Sequence, residues 1–245
     1  MISVTVHGAE GRMGRLVTAL IEEAEDCQLT ALITESSRDR PQGSFHPRLS
    51  LTGQESLAEV VPNGGVIIDF SQASALAGLL AGAEAVEARL VIGTTGYSAA
   101  QREAIAAYAQ RRPVVHAANF SVGIPALQML LDQLARTLPA GFIAEEIETH
   151  HRHKKDKPSG TALLLARVWQ EARHGDEPPI HSQRLGGVVG EHAWTISDEE
   201  ESLVLIHRAH SRRAFLRGIL PAVRFVAGRQ EGLFDLTDVL SETIG

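Results

Sequence analysis

The chain has 245 residues, of which 44% are hydrophobic, 22% charged and 4% aromatic, and its formal net charge is −7. The negative balance and the few aromatic side chains argue against nucleic-acid binding, and no apolar run approaches the about 18 residues of a membrane span. The single cysteine, Cys27, allows no internal disulfide, and the first residues do not resemble a signal peptide. We therefore expect a cytoplasmic globular protein of one large or two ordinary domains.

The first half of the chain alternates short apolar runs with longer runs of helical periodicity. The predicted strands are residues 3–6, 29–34, 66–70, 90–92 and 114–116, and the predicted helices are 12–24, 73–88 and 98–110. Strand–helix alternation of this kind predicts a parallel sheet with right-handed crossovers. The nearly continuous apolar strands suit burial on both faces of that sheet.

The pattern changes near residue 121. Helices are predicted at 124–138 and 160–172, and strands at 144–150, 181–185, 191–196 and 202–209. Because no helix separates the last three strands, we expect them to pair antiparallel. The chain is thus predicted to form an α/β domain, residues 1–121 completed by a tail at 213–245 that is helical over 213–240. The second predicted domain is an α+β domain at 122–212 with a mixed, largely antiparallel sheet.

A glycine-rich turn follows the first predicted strand. The segment VTVHGAEGRMGRL places Gly8, Gly11 and Gly14 between that strand and the first helix. Glycines let the backbone approach a diphosphate, and the N–H groups of a helix start attract it. Glu10 stands where the usual motif has its second glycine, so a tight turn without a ligand stays an alternative. Arg12 beside the turn favours a phosphate.

Two further loops of small residues follow strands of the first domain. The loop GTTGY, residues 93–97, follows the strand at 90–92, and AANFSVG, residues 117–123, follows the strand at 114–116. In an open parallel sheet, ligands bind at the carboxyl ends of the strands. The three loops therefore predict one shared ligand crevice.

The end of the second strand bears on the choice of dinucleotide. NAD-binding folds hold the ribose 2′-hydroxyl with an acidic residue at this position, whereas this strand ends in Thr34. Glu35 is near, but two serines and Arg38 follow it and suit a 2′-phosphate better. This favours NADPH over NADH, and use of both stays open.

The segment HHRHKKDK, residues 150–157, concentrates cationic side chains in an acidic chain. A zinc site is disfavoured, because strand neighbours such as His150 and His151 point to opposite faces and because Arg and Lys alternate with the histidines. A solvated charged surface stays an alternative, but it does not account for the PSGT that follows at once. We therefore expect no resident metal here.

An anion-binding pocket accounts for both parts of this segment. Ser159 can cap the helix that begins at Gly160 and Thr161, and a helix N-terminus offers N–H groups to a carboxylate. Lys154 and the histidines add positive charge. They can also donate a proton, which a hydride acceptor needs when it gains negative charge.

Seven motifs, in chain order, resemble the 4-hydroxy-tetrahydrodipicolinate reductase (dihydrodipicolinate reductase) family: GAEGRMG, DFS, VIGTTGY, AANFSVG, ETHHRHKKDKPSGTA, VGEH and EGLFDLTDVL. The resemblance spans essentially the whole chain, and the combination of HHRHK with PSGTA is its most specific part. It implies a Rossmann-like N-terminal domain completed by the tail, and a central domain that binds substrate and builds a homotetramer. It implies NAD(P)H-dependent reduction of a small dianion, a cyclic imine dicarboxylate of lysine and diaminopimelate biosynthesis.

The resemblance, together with the reasoning above, assigns roles to individual residues. His150 is the expected acid/base residue, and Lys154 is the expected proton donor. The expected substrate residues are His151, Ser159, Gly160 and Thr161. The expected cofactor residues are Gly8, Ala9, Glu10, Gly11, Arg12, Met13, Thr34, Gly93, Thr94, Thr95, Ala117, Ala118, Asn119 and Phe120.

Two other functions stay open at this point. A dinucleotide-binding sensor could keep the fold without turnover, although it would have no need of the His150 and Lys154 pair. A related dehydrogenase could act on another small dicarboxylate, and only the PSGT and histidine matches argue against it. The sequence leaves unassigned the four other cations of the segment, Arg152, His153, Lys155 and Lys157.

Overall fold

The computed structural model describes residues 1–34, 48–50 and 55–243. Two compact units are present, unit 1 with Met1–Phe120 and Leu216–Gly245, and unit 2 with Ser121–Phe215. The predicted boundaries, after residues 121 and 212, lie close to these limits. The dinucleotide and substrate roles given to the two domains stay predictions.

The elements are numbered in chain order. The strands are β1 (Ile2–His7), β2 (Cys27–Thr34), β3 (Arg48–Ser50), β4 (Val66–Asp69), β5 (Arg89–Ile92), β6 (Pro113–His116), β7 (Ile143–His150), β8 (Ile180–Arg184), β9 (Gly190–Ser197), β10 (Ser202–Ala209) and β11 (Gly232–Phe234). The helices are α1 (Arg12–Glu22), α2 (Glu55–Val60), α3 (Leu76–Ala85), α4 (Ala99–Ala109), α5 (Gly123–Thr137), α6 (Gly160–Arg173), α7 (Ile219–Ala227) and α8 (Leu236–Thr243). Within the described ranges, no helix is both long and apolar enough to cross a membrane.

Unit 1 is built on a parallel sheet with the strand order β11-β6-β5-β4-β1-β2-β3. Helices cover both of its faces, as the apolar strands predict. Helices α1 and α7 pack on one face around Val4 and Val66. Helices α3 and α4 pack on the other face around Ile67 and Leu90. The predicted fold class, α/β with a Rossmann-like parallel sheet, is confirmed.

Two local predictions in unit 1 are wrong. The helix predicted at 73–88 begins as a short 3₁₀ turn, Ala73–Ala75, and α3 ends at Ala85, because the backbone turns at Glu87 with a φ of 52°. The tail was expected to be helical throughout, but Gly232–Phe234 forms β11 and pairs in parallel with β6. Three residues are too few for a periodic pattern to distinguish a strand from a helix.

Unit 2 contains a mixed sheet with the strand order β10-β9-β7-β8. Helices α5 and α6 pack on one face around Leu131, Leu165 and Trp194. Strand β9 pairs antiparallel with β10, as predicted, and it also pairs antiparallel with β7. Strand β8 was expected to pair antiparallel and instead pairs in parallel with β7. Helix α6 lies between β7 and β8 in the chain, and such a crossover returns the chain in the same direction.

Candidate active site

A cavity in unit 1 lies at the carboxyl ends of β1 and β4. These neighbouring strands flank the point where the strand order reverses its direction, with β2 and β3 on one side and β5 and β6 on the other. In open α/β sheets this switch point is where dinucleotides bind. The cavity is lined by His7, Gly8, Glu10, Gly11, Thr34, Phe70, Ser71 and Gln72. The structure thus brings the glycine turn, the end of β2 and the DFS segment together.

The glycine turn has the geometry of a phosphate cradle. Gly8 has a φ of 75°, and a Cβ placed on it would lie 2.5 Å from the carbonyl oxygen of Phe70. Only glycine avoids both the left-handed strain and this collision. Helix α1 begins at Arg12, and its N-cap residue, Gly11, supplies no side-chain cap to the first-turn N–H groups. These groups are available to an anion, so the cradle fits the diphosphate of a nicotinamide dinucleotide.

A polar pair spans the two strands beneath this cradle. His7 Nδ1 lies 2.7 Å from Asp69 Oδ1, and Asp69 is 1% exposed. Burial opposes ionisation of Asp69, but hydrogen bonds from His7 and Ser71 hold its pKa below the usual range. Sequence reasoning missed His7, because its partnership with Asp69 depends on the register of β1 and β4, which pairs these two residues.

The other expected cofactor residues differ in exposure. Ala9 and Phe120 are buried, and Phe120 packs its ring 5.8 Å from that of Phe70. These two residues therefore support the glycine turn and the 117–123 loop from the core side. The remaining members are buried (Thr94, Ala117), half-buried (Met13, Gly93, Asn119) or exposed (Arg12, Thr95, Ala118). Residues 35–40, which carried the argument for NADPH, lie outside the described residues.

The cationic segment of unit 2 begins at the end of β7. His150 Nδ1 lies 2.5 Å from Glu148 Oε2, and Glu148 is 0% exposed. Arg184 on β8 binds both oxygens of the same carboxylate, at 2.7 and 2.9 Å. Burial opposes ionisation of Glu148, but hydrogen bonds from Arg184, Ser182 and His150 lower its pKa to about 2. An ionised Glu148 therefore orients the His150 ring.

The chemistry of His150 follows from this contact. Because the carboxylate only accepts, Nδ1 is the nitrogen that donates, and Nε2 points away from Glu148. Burial lowers the pKa of His150, although Glu148 opposes that shift. His150 is thus a largely buried imidazole whose neutral form keeps Nε2 as a proton acceptor.

Lys154 lies in the turn that follows β7. Its backbone N–H donates to the carbonyl of His151, and its Nζ lies 2.8 Å from Asp156 Oδ2. His151 and Lys154 are half-buried, whereas the four cations that the sequence left unassigned are exposed: Arg152, His153, Lys155 and Lys157. No group of three or more His, Cys, Asp or Glu within the described part of the chain could hold a metal ion.

The start of α6 follows the cationic segment directly. Ser159 is 1% exposed, and its Oγ accepts from the N–H of Ala162 at 3.2 Å. The predicted N-cap is confirmed. The Ser159 hydroxyl is thus engaged by the N–H of Ala162 and does not cap the N–H groups of Gly160 and Thr161. Gly160 is exposed and Thr161 half-buried.

Sequence reasoning missed the buried partners of the cluster. Glu148 and Arg184 orient His150, and Glu146 pairs with His192, whose Nδ1 lies 2.7 Å from Glu146 Oε1. The alternating residues of β7 carried a signal, since Glu146, Glu148 and His150 share one face of a strand. The partners on β8 and β9 become visible only with the register of the sheet.

These features define a class of protein. A glycine cradle at the switch point of a parallel sheet, and a separate cluster of proton-carrying side chains before a helix start, are typical of NAD(P)H-dependent oxidoreductases. Comparisons with known proteins narrow the class. Family models described as dihydrodipicolinate reductase, N-terminus and C-terminus, match residues 2–120 and 123–240.

Relatives and a solved structure agree with these family models. The chain is 37% identical to the 4-hydroxy-tetrahydrodipicolinate reductase of Anaeromyxobacter sp. (strain Fw109-5) and 39% identical to that of Stenotrophomonas maltophilia (strain K279a), with 98% of each chain covered. The dipicolinate-bound dihydrodipicolinate reductase of Paenisporosarcina sp. TG-14 shares the fold, with a TM-score of 0.83, 24% identity, and 97% of this chain and 99% of that chain covered.

The chain belongs to the dihydrodipicolinate reductase family. The family resemblance is confirmed, and so is the prediction of an NAD(P)H-dependent reductase of the lysine and diaminopimelate route. A non-catalytic sensor and a dehydrogenase acting on another dicarboxylate are not favoured.

Proposed function

We propose that this chain reduces 4-hydroxy-tetrahydrodipicolinate to tetrahydrodipicolinate, with unit 1 binding NADPH or NADH and unit 2 binding the substrate. The observation that carries the proposal is the segment of unit 2 in which His150, oriented by Glu148, and Lys154 precede the helix start at Gly160. A proton-carrying pair and an anion site are the two devices that reduction of a dianionic imine requires.

The anion site accounts for the two carboxylates of the substrate. The first-turn N–H groups at Gly160 and Thr161 are suited to one carboxylate, because Ser159 caps only the N–H of Ala162. His151 and Lys154, both half-buried, are suited to the other carboxylate. A hydrogen bond in which one partner is charged is about twice as strong as a hydrogen bond between two neutral groups.

The proton is assigned to Lys154. Loss of water from the hydroxylated ring places a C=C bond in conjugation with the C=N. When bound, the nicotinamide would supply a hydride to the far carbon of this conjugated system, and the ring nitrogen would take one proton before the resulting enamine returns to the cyclic imine of the product. Lys154 Nζ carries that proton, and the contact with Asp156 restrains the ammonium. His150 Nε2 serves as the acid/base group that exchanges protons at the cluster. In the net reaction one hydride and one proton enter the ring, and one water leaves the hydroxylated substrate.

The cofactor is assigned to the crevice of unit 1. The cradle of Gly8 and Gly11 holds the diphosphate, and Thr34 at the end of β2 faces the cavity beside it. Thr34 presents a hydroxyl where NAD-specific folds have a carboxylate, which favours NADPH without excluding NADH. The loops at 93–95 and 117–120 are assigned to the nicotinamide side.

The proposed assembly is a homotetramer in the cytoplasm. One face of the unit 2 sheet is covered by α5 and α6, whereas its other face exposes Ile147 (42%) and Ile206 (56%) on either side of Ala193. Ile143 and Val204 extend this apolar surface. An exposed apolar patch of this kind favours burial against other copies of the chain.

The oligomer is tested by light scattering after size-exclusion chromatography. Ile206→Glu, on the bare sheet face, is expected to reduce the molar mass to that of a smaller species. Leu233→Glu alters an exposed apolar residue of unit 1 and is expected to leave the mass at that of the wild type. Equal masses for all three proteins would remove the bare face from the assembly.

The reaction is tested by a coupled assay. Pyruvate and aspartate semialdehyde are condensed by a synthase to supply the ring, and the loss of absorbance of NADPH or NADH is followed in separate reactions. We expect ring-dependent oxidation of at least one coenzyme, with a higher kcat/KM for NADPH. Oxidation of neither coenzyme would contradict the proposed function.

A further inference from the structure

Strand β7 buries two glutamates on the same face of the sheet. Glu146 and Glu148 are both 0% exposed. A buried carboxylate destabilises a fold unless it is paired. Glu148 is engaged by His150 and Arg184, and that contact serves the proposed reaction. The Glu146 and His192 pair is not used by the proposed reaction.

Stability does not explain the Glu146 and His192 pair. His192 is 3% exposed, and its Nδ1 binds only one oxygen of Glu146. Within the described residues, the second oxygen, Oε2, is buried without a hydrogen-bond partner. An unsatisfied buried acceptor costs about 1–3 kcal/mol. Because this unsatisfied oxygen lowers the stability of the fold, the Glu146 and His192 pair indicates a functional role.

The ring of His192 lies beside that of His150. The two ring centroids are 5.4 Å apart, and the rings meet edge to face at 75°. The register of the sheet places His192 directly opposite Glu148, so both rings lie on the same face as the two glutamates. His192 therefore limits the movement of the His150 ring on the β9 side.

Gly190 lies next to the imidazole ring of His150. A Cβ placed on Gly190 would lie 3.2 Å from His150 Nε2, closer than side chains ordinarily pack. The absence of a side chain there leaves room for the imidazole. Glu148 thus holds one nitrogen of the ring, His192 bounds its side, and Gly190 leaves the other nitrogen unobstructed.

We propose that His192, held by Glu146, is a positioning residue that fixes the ring of His150, so that Nε2 stays presented as the acid/base atom. The expected loss of turnover rests on the proposed function, whereas the expected change in the titration of His150 does not. The charged groups facing His150 are Glu148 from β7, Arg184 from β8, His192 from β9 and Lys154 from the following turn.

The electrostatics agree with this geometry. Burial is the main reason that the pKa of His150 is lowered, Glu148 opposes the shift, and charge on His192 and Lys154 adds to it. Removing the His192 ring is therefore expected to raise the midpoint at which His150 titrates. Removing the His192 ring should also increase the mobility of the His150 ring. A His192 that only filled space in the core would not have this effect.

The test is an NMR titration of the free protein labelled with ¹³C-histidine. In His192→Gln, whose amide can still reach Glu146, we expect the His150 midpoint to move to higher pH. We also expect kcat to fall about 10- to 100-fold, the usual cost of removing the group that orients a ligating histidine, while the Kd for NADPH stays that of the wild type. His150→Gln assigns the resonance.

The matched control is His207→Asn. His207 is the next histidine along the row, 6.5 Å from His192, and is bonded to Ser121 Oγ. We expect this variant to keep the wild-type His150 midpoint and kcat. A folded His192→Gln with the wild-type midpoint and kcat would overturn the proposal.

A second variant covers the case in which His192→Gln does not fold. Glu146→Gln keeps the shape of the side chain and replaces the carboxylate that holds His192 by an amide, so we expect the His150 ring to become more mobile in ¹³C relaxation and kcat to fall as in His192→Gln. Wild-type mobility of the His150 ring and wild-type kcat in a folded Glu146→Gln would also overturn the proposal. Failure of the proposed function is seen separately, since it would abolish turnover by the wild type and leave the titration measurable.

Discussion

The polar sites of the two units consist of different chemical groups. The crevice of unit 1 consists mainly of backbone and small residues around Gly8, with one buried carboxylate, Asp69, holding His7. The cluster of unit 2 consists of long side chains, with Glu146 and Glu148 buried beneath it. A backbone cradle suits a phosphate that is bound but unchanged. Paired side chains suit a site that must gain and lose protons.

The largest expected effect concerns the proton donor. Lys154→Ala should lower kcat roughly 10²- to 10⁴-fold, the usual worth of one positioned proton donor. The Kd for NADPH, measured by quenching of protein fluorescence, should stay that of the wild type because the crevice of unit 1 is untouched. This outcome would separate proton donation from cofactor binding.

The matched control is the next residue in the chain. Lys155 has the same charge but is exposed, so Lys155→Ala should keep nearly full kcat. Equal losses in the two variants would mean that the segment acts through its total charge. Wild-type turnover by Lys154→Ala would remove the residue from the mechanism.

The second effect concerns the stability of unit 2. Glu148→Gln leaves the guanidinium of Arg184, whose side chain is 6% exposed, without its counter-charge. Removing one partner of a buried ion pair typically costs about 3–5 kcal/mol. Urea denaturation at neutral pH should report a loss of this size. Glu145→Gln, which breaks an exposed contact with His181, should lose at most about 1 kcal/mol.

The same variant predicts a pH dependence. The pKa of Glu148 in the folded protein, about 2, lies below its ordinary value of 4.5. The carboxylate therefore stabilises the fold above that ordinary value, and the contribution is lost as the pH falls towards the folded pKa. The stability difference between the wild type and Glu148→Gln should shrink over this range. A difference independent of pH would contradict the assignment of an ionised Glu148.

The third effect concerns the cradle of unit 1. Gly8→Ala adds a Cβ that would lie 2.5 Å from the carbonyl oxygen of Phe70. The turn must shift, and a loss of about 1.4 kcal/mol in binding is already tenfold in Kd. We expect the Kd for NADPH to rise by about tenfold or more, and His150 to titrate as in the wild type.

A glycine at the other end of the sheet provides the control. Gly64 has a φ of 69°, precedes β4 at its amino end, and would place a Cβ 3.2 Å from the flexible end of Arg89. Gly64→Ala therefore carries similar backbone strain away from the crevice. It should lose stability and keep the Kd for NADPH. An equal rise in Kd would show that strain alone, and not the cradle, weakens binding.

The part of each site that is contiguous in the chain could be predicted from the sequence. The cradle was predictable because Gly8 and Gly11 lie close together in the chain, between a strand and a helix. The segment from His150 to Thr161 was predictable for the same reason, and Ser159 caps α6 as expected. Local patterns are therefore sufficient to predict both candidate sites.

The partners of these residues could not be predicted. Arg184 reaches Glu148 only because β8 is parallel to β7, and His192 meets His150 only through the antiparallel register of β9. His7 and Asp69 likewise meet across β1 and β4. Residues this far apart in the chain leave no periodic signal, and a shift of register by one residue would turn each of them to the other face.

The central claim is that unit 2 binds the dianion and unit 1 binds the dinucleotide. Calorimetric titration with dipicolinate, a planar dicarboxylate, tests it directly when each variant is saturated with NADPH. We predict that Lys154→Ala weakens dipicolinate binding by about tenfold or more, which is about 1.4 kcal/mol, and that Gly8→Ala leaves it unchanged. Binding that is lost in Gly8→Ala and intact in Lys154→Ala would contradict the account.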